Sequence, residues 1–169
     1  MSWAPSAFPG SRKSTGTHIE TDMLLTQAIA IVETGNRWTA PHQDERGLAV
    51  SVFQIHRPAW LDVKRAYGTR TDRQFLDVGE HFQDIAGNDQ ESMIRAQNTA
   101  NGYLAIIKRR LLRAGTSTSA ANIYGCWNLG FDGFKRRHFN LKECPLPMRR
   151  NAARVSLLAD NGRINGHEP

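Results

Sequence analysis

Apolar and polar positions alternate along this chain mostly at helical spacing, and the pattern is sharpest where it stops. Five consecutive apolar residues, Ala28 to Val32, run directly into Glu33. This predicts a helix from Thr17 to Glu33, buried on every side near its end. Thr17 with Glu20 three positions later fits a capping box, and Gly35 fits a left-handed stop. The segment Leu48 to Ile55 carries enough Val, Phe and Ile for a short strand or turn. Pro58 opens a helix through Tyr67 that Gly68 ends.

From Thr71 to Gly87 the periodicity is mixed, and Phe75, Leu76, Val78, Phe82 and Ile85 allow one or two short helices. The clearest helix follows, because Met93, Ala96, Ala100, Tyr103, Leu104, Ile107 and Leu111 recur at three- and four-residue spacing. Its end carries Lys108, Arg109, Arg110 and Arg113 before Gly115, as a helix dipole and a glycine stop favour. Ser117 or Thr118 caps a further helix through Asn128, within which Gly125 allows close approach of another backbone; Gly130, Asp132 and Gly133 break it. A last helical pattern runs from about Arg149 to Leu158. Residues 1–16 and 161–169 read as a flexible arm and a frayed tail around one domain, 17–160. The expected class is α+β, predominantly helical.

Size and composition narrow the function. A chain of 169 residues, 40% hydrophobic, can bury a core without disulfides or metals. No run approaches the roughly 20 apolar residues of a membrane span. The six histidines show no metal-ligand spacing, so neither metal nor cofactor is expected. Cys126 and Cys144 can be a disulfide or two thiols as far as spacing goes. A net charge of +6 implies an anionic partner, with bacterial cell wall and nucleic acid as candidates.

Glu33 is the candidate for chemistry. The negative end of a helix dipole and apolar neighbours both disfavour a charged carboxylate and raise its pKa. A carboxylic acid still protonated near neutral pH can donate to a leaving oxygen, as glycosidic cleavage requires. A lone Glu at a helix end is, by contrast, usually just hydrated.

Read together, Glu33-Thr34-Gly35-Asn36, then Ser51-Val52-Phe53-Gln54-Ile55, then Asn98 to Leu104, then Cys126-Trp127-Asn128-Leu129-Gly130 resemble the soluble lytic transglycosylases of the goose-type-lysozyme-like class. In that family a Glu-Ser pair ends a helix, a Gly-Leu-Met-Gln-Ile turn follows, and an Ala-Tyr-Asn-Ala-Gly segment closes the site. The resemblance spans about residues 18–135 and implies a lysozyme-like fold with Glu33 as catalytic acid. It further implies a substrate site of Thr34, Ser51, Phe53, Gln54, Tyr103, Trp127 and Asn128. Ser51 and Phe53 stand where the family has Gly and Met, and Ser51 tolerates positive φ less well than glycine. Phe53 is then an apolar wall for a sugar ring, and Thr34 bonds Glu33, the substrate or its own helix backbone. Trp127 offers a stacking face but lacks the phenolic hydroxyl that the family carries there.

The implied reaction is cleavage of the β-1,4 bond between N-acetylmuramic acid and N-acetylglucosamine in peptidoglycan, giving 1,6-anhydro products. A hydrolytic muramidase, with Asp44, Glu45 or Asp62 activating water, is the alternative. The basic clusters Lys108-Arg109-Arg110, Lys135-Arg136-Arg137 and Arg149-Arg150 suit a nucleic-acid-binding module, a less favoured reading since no recognition motif accompanies them. A wall-binding module without catalysis is the third. The first sixteen residues lack a secretory signal's features. The expected route to the wall is therefore a phage particle, phage lysis, a secretion machine, or a signal already removed.

Overall fold

The structure, a computed structural model, describes residues 16–35, 49–68 and 76–165, with side chains between residues 24 and 161 of those ranges. It is predominantly helical with one two-stranded sheet. Helix α1 spans Gly16–Glu33 and places Glu33 in its last turn. Gly35, at φ +61°, is the left-handed residue that ends it. The helix is not enclosed on all sides: Leu25, Ala28, Ile29, Ala30 and Val32 are buried, whereas Gln27 is exposed and Ile31 half-buried. The side chains of Thr17 and Glu20 lie outside the described set, as do residues 1–15.

The segment expected as strand or turn is both. β1 (Ala49–Val50) and β2 (Ile55–His56) pair antiparallel, Val50 opposite Ile55, around a tight turn. Helix α2 (Arg57–Tyr67) follows with Pro58 in its first turn, where a missing N–H costs nothing. Between Thr71 and Gly87 the described part holds a single short 3₁₀ turn, Phe82–Ile85, seated on the next helix.

Helix α3 (Gln90–Arg113) is capped by Asp89, whose side chain accepts from the Ser92 amide. Gly115 at φ +66° lies just beyond its end. Gly102 lets α2 close on α3, since a Cβ there would sit 2.5 Å from Val63 Cγ1.

Three expectations about the next segment need correction. Helix α4 (Ala120–Leu129) is capped by Ser119, whose Oγ accepts from the Asn122 amide; the Ser117 hydroxyl instead accepts from the Ser119 amide, one step upstream. What approaches Gly125 is the Phe134 ring rather than another backbone. Gly130, at φ +71°, does break the helix, but Asp132 and Gly133 lie inside a short helix α5 (Phe131–Lys135). That helix folds back so that Phe134 fills the notch left by Gly125.

Helix α6 (Leu146–Asn165) begins earlier and ends later than the apolar pattern suggests. Pro147 falls in its first turn, a position proline tolerates, so the helix includes residues that read as a stop. Its buried stripe of Ala152, Val155 and Ala159 packs across α1 and α4. The core thus sits where α1, α4 and α6 meet, extended by α2 and α3. Cys126 and Cys144 are buried free thiols. No helix among the described residues is long and apolar enough to cross a membrane.

Candidate functional site

Glu33 reaches its position because α1 ends against α4. Its Oε1 accepts a 2.9 Å hydrogen bond from the Tyr124 hydroxyl, one turn into α4. Asn151 of α6 donates from Nδ2 to the same hydroxyl at 3.3 Å, fixing the direction in which it points. Three helices that are remote in sequence therefore converge on one carboxylate. Burial raises the Glu33 pKa above the ordinary 4.5, and the Tyr124 hydrogen bond pulls partly against it. The tyrosine is itself held neutral, its pKa raised first by burial and then by the Glu33 charge. Such a hydroxyl is a standing donor to Glu33.

Thr34 does not contact Glu33. Its Oγ1 donates to the Ala30 carbonyl at 2.8 Å, so of the three partners expected for it the helix backbone is the one found.

The turn after β1 is tight despite having no glycine. Ser51 sits at φ +65° and Gln54 at φ +50°, left-handed conformations that cost a side-chain-bearing residue about 1 kcal/mol each. Local bonds offset this. The Ser51 Oγ accepts from the Phe53 amide at 3.3 Å, and the Ser51 carbonyl accepts from both the backbone and the side-chain amide of Gln54, at 3.2 and 3.3 Å. Ser51 is buried inside the turn, and Phe53 is 2% exposed. Phe53 is therefore core, and neither residue faces a ligand space. The resemblance implied an apolar wall for a sugar ring at Phe53; its side chain lies in the core instead.

Gln54, at the end of the turn, borders a cavity of about 260 Å³. Gln54, Tyr103, Trp127 and Asn128 all line it, together with His56, Pro58, Ala59, Leu129 and Gly130. Tyr103 and Trp127 pack ring to ring at 5.4 Å, so α3 and α4 present one aromatic wall. Burial pushes the Tyr103 hydroxyl up to about 12, leaving it a neutral hydrogen-bonding group. Glu33 is not itself a lining residue. Tyr124, one turn before the cavity-lining Asn128 on α4, connects it to the cavity wall.

Comparison of the chain with family models, with curated proteins and with solved structures finds no match.

Of the eight candidates, four share the cavity, Glu33 lies one tyrosine away, and Thr34, Ser51 and Phe53 serve the scaffold. Tyr124 and Asn151 were missed. Both stand on apolar-patterned helices, where a tyrosine reads as core, and only the packing of α4 and α6 onto α1 gives them a partner. Among the alternative carboxylates, Asp62 faces elsewhere, bonded to Arg110 at 3.3 Å with Arg65 at 3.9 Å, and Asp44 and Glu45 lie outside the described residues. No Asp or Glu lines the cavity among the described residues. Nor, among them, is any group of three His, Cys, Asp or Glu side chains arranged to hold a metal.

Chemically, this arrangement suits one proton moved by Glu33 beside a space with stacking and amide groups. Removing the Tyr124 hydroxyl should raise the Glu33 pKa further, because the hydrogen bond that favours the carboxylate is lost. For a general acid, activity falls as pH rises through its pKa. For a reaction acid-catalysed by Glu33, the Tyr124→Phe variant is expected to keep its folded structure, lose about tenfold in rate, and show an alkaline limb moved to higher pH. A pH–rate profile checks this; a limb that stays in place or moves downward contradicts it.

Proposed function

We propose that this chain is a lysozyme-like lytic transglycosylase that cleaves the β-1,4 bond between N-acetylmuramic acid and N-acetylglucosamine in peptidoglycan. The observation that carries the reading is Glu33, desolvated at a helix end and held by Tyr124 beside a cavity with an aromatic wall. Protonated Glu33 gives its proton to the bridging oxygen as the C1–O bond breaks, through an oxocarbenium-like transition state. The adjacent N-acetyl group stabilises C1, in the manner of substrate-assisted glycosidases. The carboxylate of Glu33 then takes the proton of the sugar's 6-hydroxyl as O6 bonds to C1. Glu33 ends protonated, and no water is consumed.

Trp127 and Tyr103 stack on the sugar faces, while Gln54 and Asn128 hold its amide and hydroxyl groups. A hydrolytic route would need a second carboxylate to activate water. The protein acts at the bacterial wall, and its partner is peptidoglycan rather than nucleic acid.

The test is solubilisation of purified walls from several bacteria. Wild-type protein is expected to release soluble muropeptides; no release from any wall type refutes the enzyme reading.

A further inference from the structure

The basic run at the end of α3 is not used up in capping that helix. The amides of Ala114, Gly115 and Thr116 take the carbonyls of Arg110, Leu111 and Leu112, which leaves the arginine side chains free to turn toward α2. Between the two helices lies a groove of about 310 Å³ whose charged lining is Arg65, Arg109, Arg110, Arg113 and a single carboxylate, Asp62. The groove shares no lining residue with the cavity beside Glu33.

Four guanidinium groups face that one carboxylate. Asp62 bonds Arg110 at 3.3 Å and lies 3.9 Å from Arg65, while Arg113 is exposed and has no side-chain partner among the described residues. Arg109 donates to the Tyr67 hydroxyl at 2.6 Å, so two of the cations are held in place. Beyond Arg113 the surface adds Lys135 and Asp132 of α5, one charge of each sign, and the excess of positive charge therefore lies in the α2–α3 groove. The paired N–H groups of a guanidinium match the two free oxygens of a phosphodiester. Arg109 and Arg113 stand one turn, about 6 Å, apart on α3, which suits an anion repeated along a chain.

A single nucleic-acid strand is held by stacking its bases on aromatic faces as well as by charge. Here both nearby rings are already covered, Tyr67 by Arg109 at 5.7 Å and Phe131 by Arg110 at 5.9 Å. The groove offers charge without a stacking face.

We propose that the α2–α3 groove binds a linear phosphodiester polymer whose repeats are joined by small polyols and carry no bases. Successive phosphates meet Arg109, Arg113 and Arg65, and the polyol hydroxyls need no ring to stack on. This binding does not depend on the reaction proposed for the cavity.

The experiment titrates the full chain into fluorescently labelled poly(glycerol phosphate) and follows anisotropy. Wild-type protein is expected to bind, more weakly as salt is added, and to prefer this polymer to single- or double-stranded DNA and to polyglutamate of matched charge. A variant carrying Arg65→Glu, Arg109→Glu and Arg113→Glu is expected to bind at least about tenfold more weakly, as three exposed charge contacts allow. A control carrying Arg149→Glu, Arg150→Glu and Arg154→Glu, exposed residues of α6, changes the net charge equally and is expected to lose less than about threefold. Absence of wild-type binding at low salt, tighter binding of DNA or polyglutamate, or equal losses in the two variants overturns the proposal. If the groove variant does not fold, addition of poly(glycerol phosphate) to ¹⁵N-labelled wild-type protein decides the matter. Amide shifts centred on Arg65, Arg109, Arg110 and Arg113 support the groove; shifts only elsewhere, or none, overturn it.

Discussion

Glu33→Gln is expected to lower the turnover of peptidoglycan at least about a hundredfold, since it removes the only proton donor and acceptor that the mechanism uses. The amide is nearly isosteric and keeps a hydrogen bond with Tyr124, so binding in the cavity should persist. The substitution also has a signature that needs no substrate. Glu33 has its pKa raised in the folded state, so the fold binds its proton more tightly than the unfolded chain does. The wild type therefore loses stability as pH rises from about the ordinary 4.5 through the folded value, because a charge is forced into a desolvated site. Gln carries no such penalty. The melting temperature of the variant should exceed that of the wild type by a margin that is small in acid and grows toward neutral pH. Thermal melts across that range check the point; a margin that shrinks with rising pH would mean Glu33 is stabilised as a carboxylate, the opposite of what an acid requires.

Phe134→Ala is expected to be the most destabilising change outside the site. The ring is fully buried against Gly125, where a Cβ would lie 2.6 to 2.8 Å from three of its atoms, and it meets Phe139 edge-on at 5.6 Å. Removing it leaves a cavity that α4 cannot collapse into without moving its own backbone. Buried Phe to Ala typically costs about 3–5 kcal/mol, a large share of a domain's ~5–15 kcal/mol. The melting temperature should drop by about 10 °C, and denaturant unfolding should show a lower midpoint at an unchanged slope. Because α4 also carries Tyr124, Trp127 and Asn128, activity should fall below the loss seen for a distant core residue of similar cost. A drop of less than about 1 kcal/mol would show that Phe134 does not lock α5 onto α4.

What the sequence reveals here follows from what is local. The α1 end with Glu33, the α2 start at Pro58 and the whole of α3 are legible because capping, proline and periodicity act within a few residues. The predominantly helical character follows from the same signals. The boundaries of α6 are not legible, since Pro147 in a first turn reads the same as a proline after a helix. The burial of Phe53 escapes too: Ser51 and Gln54, both left-handed, close a tight turn in which Val50, Ser51, Val52 and Phe53 are all buried. Nothing in the composition of the turn announces them.

The candidate site divides along the same line. Gln54, Tyr103, Trp127 and Asn128 share a cavity as their motifs imply, each sitting at the end or on the open face of its element. Tyr124 and Asn151 could not be found that way. Their roles come from α6 packing on both α1 and α4 and from hydrogen bonds between residues 91 and 27 positions apart, which periodicity does not encode. The hydroxyl that Trp127 lacks is supplied at Glu33 by Tyr124, three residues earlier on the same helix.

The central claim is tested most directly by mass spectrometry of the fragments released from purified peptidoglycan by wild-type protein and by Glu33→Gln. Fragments ending in 1,6-anhydro-N-acetylmuramic acid, present with the wild type and absent with the variant, are the expected result. Reducing ends in their place, or the same fragments from both proteins, would contradict a lytic reaction carried by Glu33.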